Sequence, residues 1–405
     1  MKNLVYHSME SMLNSSRRTF LKAGSIAGAG LLLGTPTLWA QDNQKKAPPD
    51  KPKTNIEDAL KIPLTEHSVP GKFPGKVVEV FHPQAMVDDK PDATMVSKMF
   101  EQGMEKLTGK KLNSSFKLFF NKKDIVGIKV NPVGPGLINT KHEVVDSIID
   151  WLQQNEMKRE NIIIWDRFDY MLTDAGFTQQ RFPGIGIEGL QTMDEAAAEG
   201  KTDDNSKWLD KEGKHISLNN FDQAVYYWAD VEAPQDLAYL NQHVVNNKYS
   251  YFGKLLTQKL TKIINVPVFK NTGNGISMAT KNIGYGAICN TNRLHRPLFF
   301  NVCTEVFAFH PIREKLVLNI TDGLIGQYDG GQMPNAKFTY DYNTLFFATD
   351  PFALDMVCHR LMVAKRKEMK VNVNEHPMFT EYLYYAERLG LGIANPDKIE
   401  HLKVG

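Results

Sequence analysis

Cysteine is scarce in this sequence: Cys289, Cys303 and Cys358 are the three that 405 residues hold. Four-thiolate ligation is out of reach with three, so no iron–sulfur cluster is expected. No two of them stand in CxxC spacing, which also removes zinc ribbons and thioredoxin-type motifs. An excess of one charge is missing too. Lys and Arg number 48 against 46 Asp and Glu, which gives no basic footprint for nucleic acid. Gly (29) and Pro (20) are near ordinary usage, so collagen-like and low-complexity chains are excluded. No Gly-x-Ser-x-Gly elbow is present, which leaves a serine-hydrolase reading without support. With 42% hydrophobic and 23% charged residues, the remainder is an ordinary globular chain, large enough for one big domain or two.

The first forty residues read as an address. Ser15-Ser16-Arg17-Arg18-Thr19-Phe20-Leu21-Lys22 precedes a weakly apolar stretch from Ala23 to Ala40. The pattern resembles a twin-arginine export signal. A Sec signal or a membrane anchor is the alternative. The stretch is short for a span and is interrupted by Gly24, Gly28, Gly30, Gly34 and Pro36. Cleavage after Ala40 fits, although Leu38 departs from the small-x-small preference, so an uncleaved signal would leave an N-terminal anchor. The resemblance implies the twin-arginine translocation machinery as a partner during export, a periplasmic location, and folding before export, which often accompanies cofactor insertion. Removing residues 1–40 takes away Lys2, Arg17, Arg18, Lys22 and Glu10, leaving 44 basic and 45 acidic residues.

Residues 41–62 are polar, with Pro48, Pro49 and Pro52 close together, and are expected to form a disordered linker. From Pro63 to the end a single α/β domain is expected. Strands are expected over 77–80, 125–130, 162–165, 263–269, 316–320 and 345–348. Helices are expected over 94–107, 143–153 and 351–365. A strand, a helix of ten residues and a strand make a βαβ unit, so the fold class is α/β, with a mainly parallel or mixed sheet flanked by helices. Residues 180–260 are irregular and read as an insertion, in which 221–228 suits a strand and 249–260 a helix.

The chemistry gathers after the strands. The first βα loop contains Asn131, Gly134, Gly136 and Thr140. Thr140 and Glu143 have capping-box spacing, which starts a helix just after Thr140. Backbone N–H groups at such a helix start favour an anion. This loop is not a Walker motif, since no Gly-Lys-Ser/Thr closes it, nor does it contain GxGxxG. Strand 162–165 ends in Asp166-Arg167, strand 263–269 in Lys270-Asn271 with Lys281-Asn282 behind, and strand 316–320 in Thr321-Asp322-Gly323 with Gly330-Gly331 following. Strand 345–348 ends in Thr349-Asp350-Pro351, where Asp350 also reads as a helix cap. In a parallel sheet these ends share one edge, and ligands bind outside it. Lysines at such positions are costly to bury without a partner; they can pair with a carboxylate, clamp an anion, or lose their proton for covalent chemistry. The candidate binding residues are therefore Lys129, Asn131, Gly134, Gly136, Thr140, Lys270, Asn271, Lys281, Asn282, Gly330 and Gly331. Lys270, Lys281 and Asp322 are candidates for catalysis, and Asp166 and Asp322 for a metal ligand.

Several of these motifs carry a family resemblance. Val126-Gly127-Ile128-Lys129-Val130-Asn131, Ile264 to Lys270, Ala279-Thr280-Lys281-Asn282, Asp322-Gly323 with Gly330-Gly331, and Ala348-Thr349-Asp350-Pro351 with Asp355 resemble the domain-of-unknown-function 362 family over residues 76 to 392. Exported members are familiar there, and other members carry ferredoxin-like CxxCxxC segments that this sequence lacks. The resemblance implies a fold and a motif set, with no reaction attached. A more distant likeness to the nucleotide-cofactor domain of nickel-pincer lactate racemases suggests Lys270 or Lys281 as a cofactor tether, without matching histidines. Two function classes follow: an exported enzyme or cofactor protein binding a small anionic ligand at the sheet edge, or a non-catalytic periplasmic binding or assembly protein using the same crevice.

Overall fold

Short runs of β-branched residues, broken by amphipathic stretches, dictate the architecture of the computed structural model. It describes residues 51–191, 220–231, 248–273, 275–295, 298–373 and 376–405. The signal expected over 1–40, the first part of the linker and most of the 180–260 insertion lie outside the described residues.

Among the described residues ten strands form the main sheet: β1 (Lys76–Phe81), β2 (Val126–Lys129), β3 (Ile162–Phe168), β4 (Gly186–Gln191), β5 (Lys262–Asn265), β6 (Val268–Thr272), β7 (Gly275–Ile276), β8 (Leu316–Gln327), β9 (Thr339–Ala348) and β10 (Glu400–Val404). The order is β10-β1-β9-β8-β5-β2-β3-β4, with β6 beside the second half of β8 and β7 beside β6. The run β8-β5-β2-β3-β4 is parallel throughout, while β9 is antiparallel to both its neighbours. The fold class is thus α/β, with a mixed, mostly parallel sheet between helices.

Both faces of the parallel strands are covered, which explains why they read as unbroken apolar runs. Val126, Ile128, Ile162, Ile164 and Ile264 pack beneath α1 (Ala93–Thr108) and α2 (His142–Gln154). Ile163, Trp165, Ile263 and Leu316 face the other layer, which includes α3 (Ala279–Gly284), α4 (Phe299–Glu305) and α6 (Met378–Arg388). A third cluster seats α5 (Pro351–Glu368) on Val77, Phe346 and Ala348. Each such aliphatic or aromatic side chain contributes about 1.5–3 kcal/mol when fully buried. In α1 the apolar positions Val96, Met99, Phe100, Met104 and Leu107 repeat at helical spacing, Asp92 caps the start through Met95 N (2.8 Å), and Gly109 at φ 67° ends it.

Four expectations are corrected. The strand over 263–269 is two strands, because Pro267 has no N–H for a ladder. There Val266 N donates to Lys129 O (2.7 Å), and Pro267 O accepts from Asp322 N (2.8 Å). The strand at 345–348 is the end of ten-residue β9. Because β9 runs antiparallel, its start at Thr339 pairs with Gln327 and its end at Ala348 pairs with Asn319, so Asp350 leads away from the polar loops. Its carboxylate accepts from Phe352 N, Ala353 N, Gly75 N and Ile393 N, which makes it a cap and a brace.

Residues 249–260 are not one helix. Tyr249–Gly253 pairs antiparallel with Phe221–Trp228, and a π-helix over Leu255–Lys259 follows. Alternating aromatics favoured the hairpin: the rings of Tyr226 and Tyr249 meet at 4.7 Å. Finally, the second part of the expected linker is folded. Thr54 bridges to Ala229, and Ile56–Leu60 is a short helix whose Ile56 and Ala59 are buried. These two apolar side chains, with Asn55 bonded to Tyr226 O and Trp228 N and with Lys51 paired to Glu305, dock a segment that composition assigned to solvent. No helix among the described residues is long and apolar enough to cross a membrane.

Candidate functional site

Register alone places four residues in a row. Trp165, Lys129, Asn265 and Asn319 are direct neighbours on β3, β2, β5 and β8. Residues opposite one another project from the same face. Three of these four are polar and almost wholly buried, so each needs hydrogen bonds.

The bonds form one continuous system. Lys129 Nζ donates to Asp166 Oδ1 (2.5 Å), Val130 O (2.8 Å) and Asn282 Oδ1 (3.0 Å). Lys270 Nζ donates to Asn131 Oδ1 (2.9 Å), and Asn131 Nδ2 donates to Asn282 Oδ1 (3.2 Å). From there Asn282 Nδ2 reaches Asn265 Oδ1 (2.8 Å), Asn265 Nδ2 reaches Asn319 Oδ1 (3.0 Å), and Asn319 Nδ2 reaches Thr349 O (3.2 Å). The structure therefore brings together Lys129, Asn131, Asp166, Lys270 and Asn282.

Asn282 and Lys281 are carried by α3, whose position is fixed from below. Asp355 of α5 accepts from Ala279 N (2.9 Å), Thr280 N (2.9 Å) and Thr280 Oγ1 (2.6 Å), satisfying the first unpaired donors of that helix. Burial lifts the Asp355 carboxyl to about 7 against these bonds. Lys281 Nζ lies 5.3 Å from the centre of the Phe299 ring and donates to Gln332 Oε1. Gln332 belongs to the half-exposed loop that follows Gly330 and Gly331, both at positive φ, near +85°. Gln327 Nε2 ties this loop down at Gly331 O (2.6 Å) and Met333 O (2.9 Å).

The loop after β2 supports the site from the side. Thr140 does not cap α2; the helix begins at His142, with Lys141 as the preceding residue. Its hydroxyl instead accepts from Asn131 N (2.8 Å) and donates to Val266 O (2.9 Å), fixing Asn131 against β5. The carboxylate facing the start of α2 is Asp322, which accepts from Lys141 N (2.7 Å) and Leu324 N (3.0 Å); burial raises its pKa. Gly134 meets Ile138 and Pro334, whereas a Cβ at Gly136 would meet nothing within 4 Å. Asn271 turns away into the β6–β7 hairpin, where Nδ2 donates to Gly273 O (2.7 Å).

Electrostatically the site is unbalanced. Lys129, Lys270, Lys281, Arg167 and Asp166 are all at least nine-tenths buried. Asp166 is the carboxylate in contact with Lys129, and its charge also acts on Lys270 and Arg167. Burial, then the charge of Lys281, lowers Lys270 to about 7. Burial lowers Lys281 to about 8 and Arg167 to about 10, and it lowers Lys129 against the pull of Asp166. Arg167 Nε, buried, has no hydrogen-bond partner among the described residues; Trp165 Nε1, also unpartnered, faces Gly127 and Leu260 in the core. No group of three or more His, Cys, Asp or Glu able to hold a metal ion occurs among the described residues.

Asn265, Asn319, Gln332, Arg167 and Asp355 complete the site, and candidate selection by strand ends passed over them. The first two carried a usable signal, since an Asn inside a β-branched strand (Ile263-Ile264-Asn265, Leu318-Asn319-Ile320) is costly unless bonded.

Compared with known families, residues 235–360 match the model described as domain of unknown function (DUF362). No curated protein and no solved structure matches the chain. The matched segment contains β5 to β8, α3, β9 and the first part of α5, and with them Lys270, Lys281, Asn282 and Asp355.

Proposed function

We propose that this is an exported protein whose sheet edge binds a small anionic molecule or cofactor between Lys129, Lys270, Lys281 and Arg167. The observation that carries the reading is the charge balance: three buried cationic side chains, Lys129, Lys270 and Arg167, share Asp166, and the charge of the buried Lys281 also acts on Lys270. Burying charge without compensation is expensive, and an anion with several acceptor oxygens would supply both the missing charge and the missing acceptors. Arg167 Nε, which has no hydrogen-bond partner among the described residues, and the under-bonded Lys270 Nζ are donors awaiting such oxygens. Gln332 lies over Lys281 from the half-exposed loop, and the ligand enters by displacing it.

The test is thermal unfolding of the mature chain with phosphate, citrate and short carboxylates, read against chloride. A ligand at a hundred times its dissociation constant stabilises by about 2.7 kcal/mol, and the shift should vanish in Lys281→Gln. Equal melting temperatures in every anion would remove the reading.

Export by the twin-arginine route to the periplasm rests on Ser15 to Lys22 and the stretch to Ala40. Replacing Arg17 and Arg18 together by Lys should leave the precursor in the cytoplasm on fractionation; unchanged export would point to a Sec-type signal.

A further inference from the structure

We propose that Lys270 is a carbonyl-capturing amine, and that the ligand of this site is a small anion bearing an aldehyde or ketone, such as a 2-oxo acid. The inference rests on the anion-binding reading above and adds the reacting group. Three lysines line the edge, and their surroundings give them different work. Lys129 is held by a carboxylate, a carbonyl and a carboxamide, three acceptors for three ammonium hydrogens. Lys281 projects from α3 to the entrance, where a carboxamide from a half-exposed loop meets it. Lys270 meets neither arrangement: its hydrogen bond is to Asn131 Oδ1, it is 1% exposed, and the charges of Lys281 and Lys129 act on it against that of Asp166.

A buried ammonium with one acceptor and cationic neighbours is better accommodated as the neutral amine, which keeps a lone pair for attack. The lowering of Lys270 to about 7 agrees with this placement. Asn131 Oδ1 accepts from one of the two N–H bonds of the neutral amine and so restricts where the lone pair points, and Thr140 in turn holds the Asn131 backbone. Lys281 and Arg167 then receive the carboxylate of the ligand, setting its carbonyl carbon against Lys270.

The step balances without a co-reactant. The nitrogen lone pair forms the C–N bond, and one nitrogen proton passes to the carbinolamine oxygen. Loss of that hydroxyl with the second nitrogen proton releases one water, breaks the C–O bond and leaves the imine.

The experiment uses the mature chain at pH 7.5 with glyoxylate and cyanoborohydride, followed by peptide mapping. One carboxymethyl group on Lys270 is expected, formed at least about tenfold faster than the ethyl group left by acetaldehyde under the same conditions. Excess glycolate, which has the carboxylate but no carbonyl, should suppress it. Lys270→Arg should lose the modification in protein that still unfolds cooperatively.

Surface lysines modified with Lys270 untouched, in protein that glycolate still stabilises, would overturn the imine proposal and leave the anion reading standing. No stabilisation by glycolate or phosphate together with an untouched Lys270 would overturn both. Equal rates for glyoxylate and acetaldehyde at Lys270 would overturn the anionic ligand class.

Discussion

The ion pair between Lys129 and Asp166 gives the sharpest handle on the site. The two side chains are 1% and 9% exposed and stand 2.5 Å apart. Asp166→Asn keeps shape and volume while removing the carboxylate charge, which leaves Lys129 with Val130 O, Asn282 Oδ1 and a neutral carboxamide. Stripping one partner from a buried pair costs about 3–5 kcal/mol, because the other charge stays buried without compensation. Replacing both members, as in Lys129→Met with Asp166→Asn, removes that charge, so the double variant should lose much less than the sum of the singles. Urea unfolding of wild type, both single variants and the double variant measures the coupling. The sign with pH is also fixed. Burial already lowers Lys129 below its ordinary value, and without Asp166 it falls further. The unfolded chain then binds the extra proton across the interval up to the unfolded lysine value, so stability of Asp166→Asn should rise with pH there. A loss below about 1 kcal/mol for Asp166→Asn would refute the reasoning, since it would mean that the pair is effectively solvated.

Further tests address neighbouring features. Lys270, lowered to about 7, should make the ligand-free protein more stable as pH rises from 7 towards the unfolded lysine value. Lys270→Met should cut that slope by up to about 1.4 kcal/mol per pH unit, measured by urea unfolding at pH 7.5 and 9. Asp355→Ala strands the two backbone donors and one hydroxyl at the start of α3 and should cost about 2–4 kcal/mol in the same assay. In Gly103→Ala the new Cβ would sit 2.1 Å from the Phe347 ring, so a loss of about 1–3 kcal/mol is expected despite better helix propensity. Cys289, Cys303 and Cys358 are buried free thiols with raised pKa values, burial being the main cause. Iodoacetamide at pH 8 should leave all three unmodified in native protein and label all three in urea, as mass spectrometry would record.

Much of the parallel core could be read from the chain. Runs such as Ile162-Ile163-Ile164 and Val126-Gly127-Ile128, each followed by a polar loop, are enough to place Lys129, Asp166 and Lys270 at one edge. Direction was harder. The end of β9 looked like the other strand ends, and only its antiparallel pairing with β8 sends Asp350 elsewhere. Spacing also misassigned Thr140: a capping-box pattern is local, whereas the partner its hydroxyl found, Val266 O, is 126 residues away. For the same reason Asp322 at the start of α2 was unreadable as a cap. The tie between Asp355 and α3 was invisible because it joins two helices that share no periodicity.

The asparagine row also has a direction. Each carboxamide turns its oxygen towards the lysines and its nitrogen towards Thr349, from Asn282 through Asn265 to Asn319. No member can turn over alone, because a reversed Asn265 would set N–H against N–H on one side and oxygen against oxygen on the other. The row therefore has one permitted setting: negative ends lean towards Lys129, and the mismatch of an inverted amide would fall on one helix and two strands. Loss of a proton at Lys129 would weaken the pull that holds this setting, so the protonation state at one edge of the sheet bears on how firmly the peptide after β9 is held, with no movement of the backbone between them.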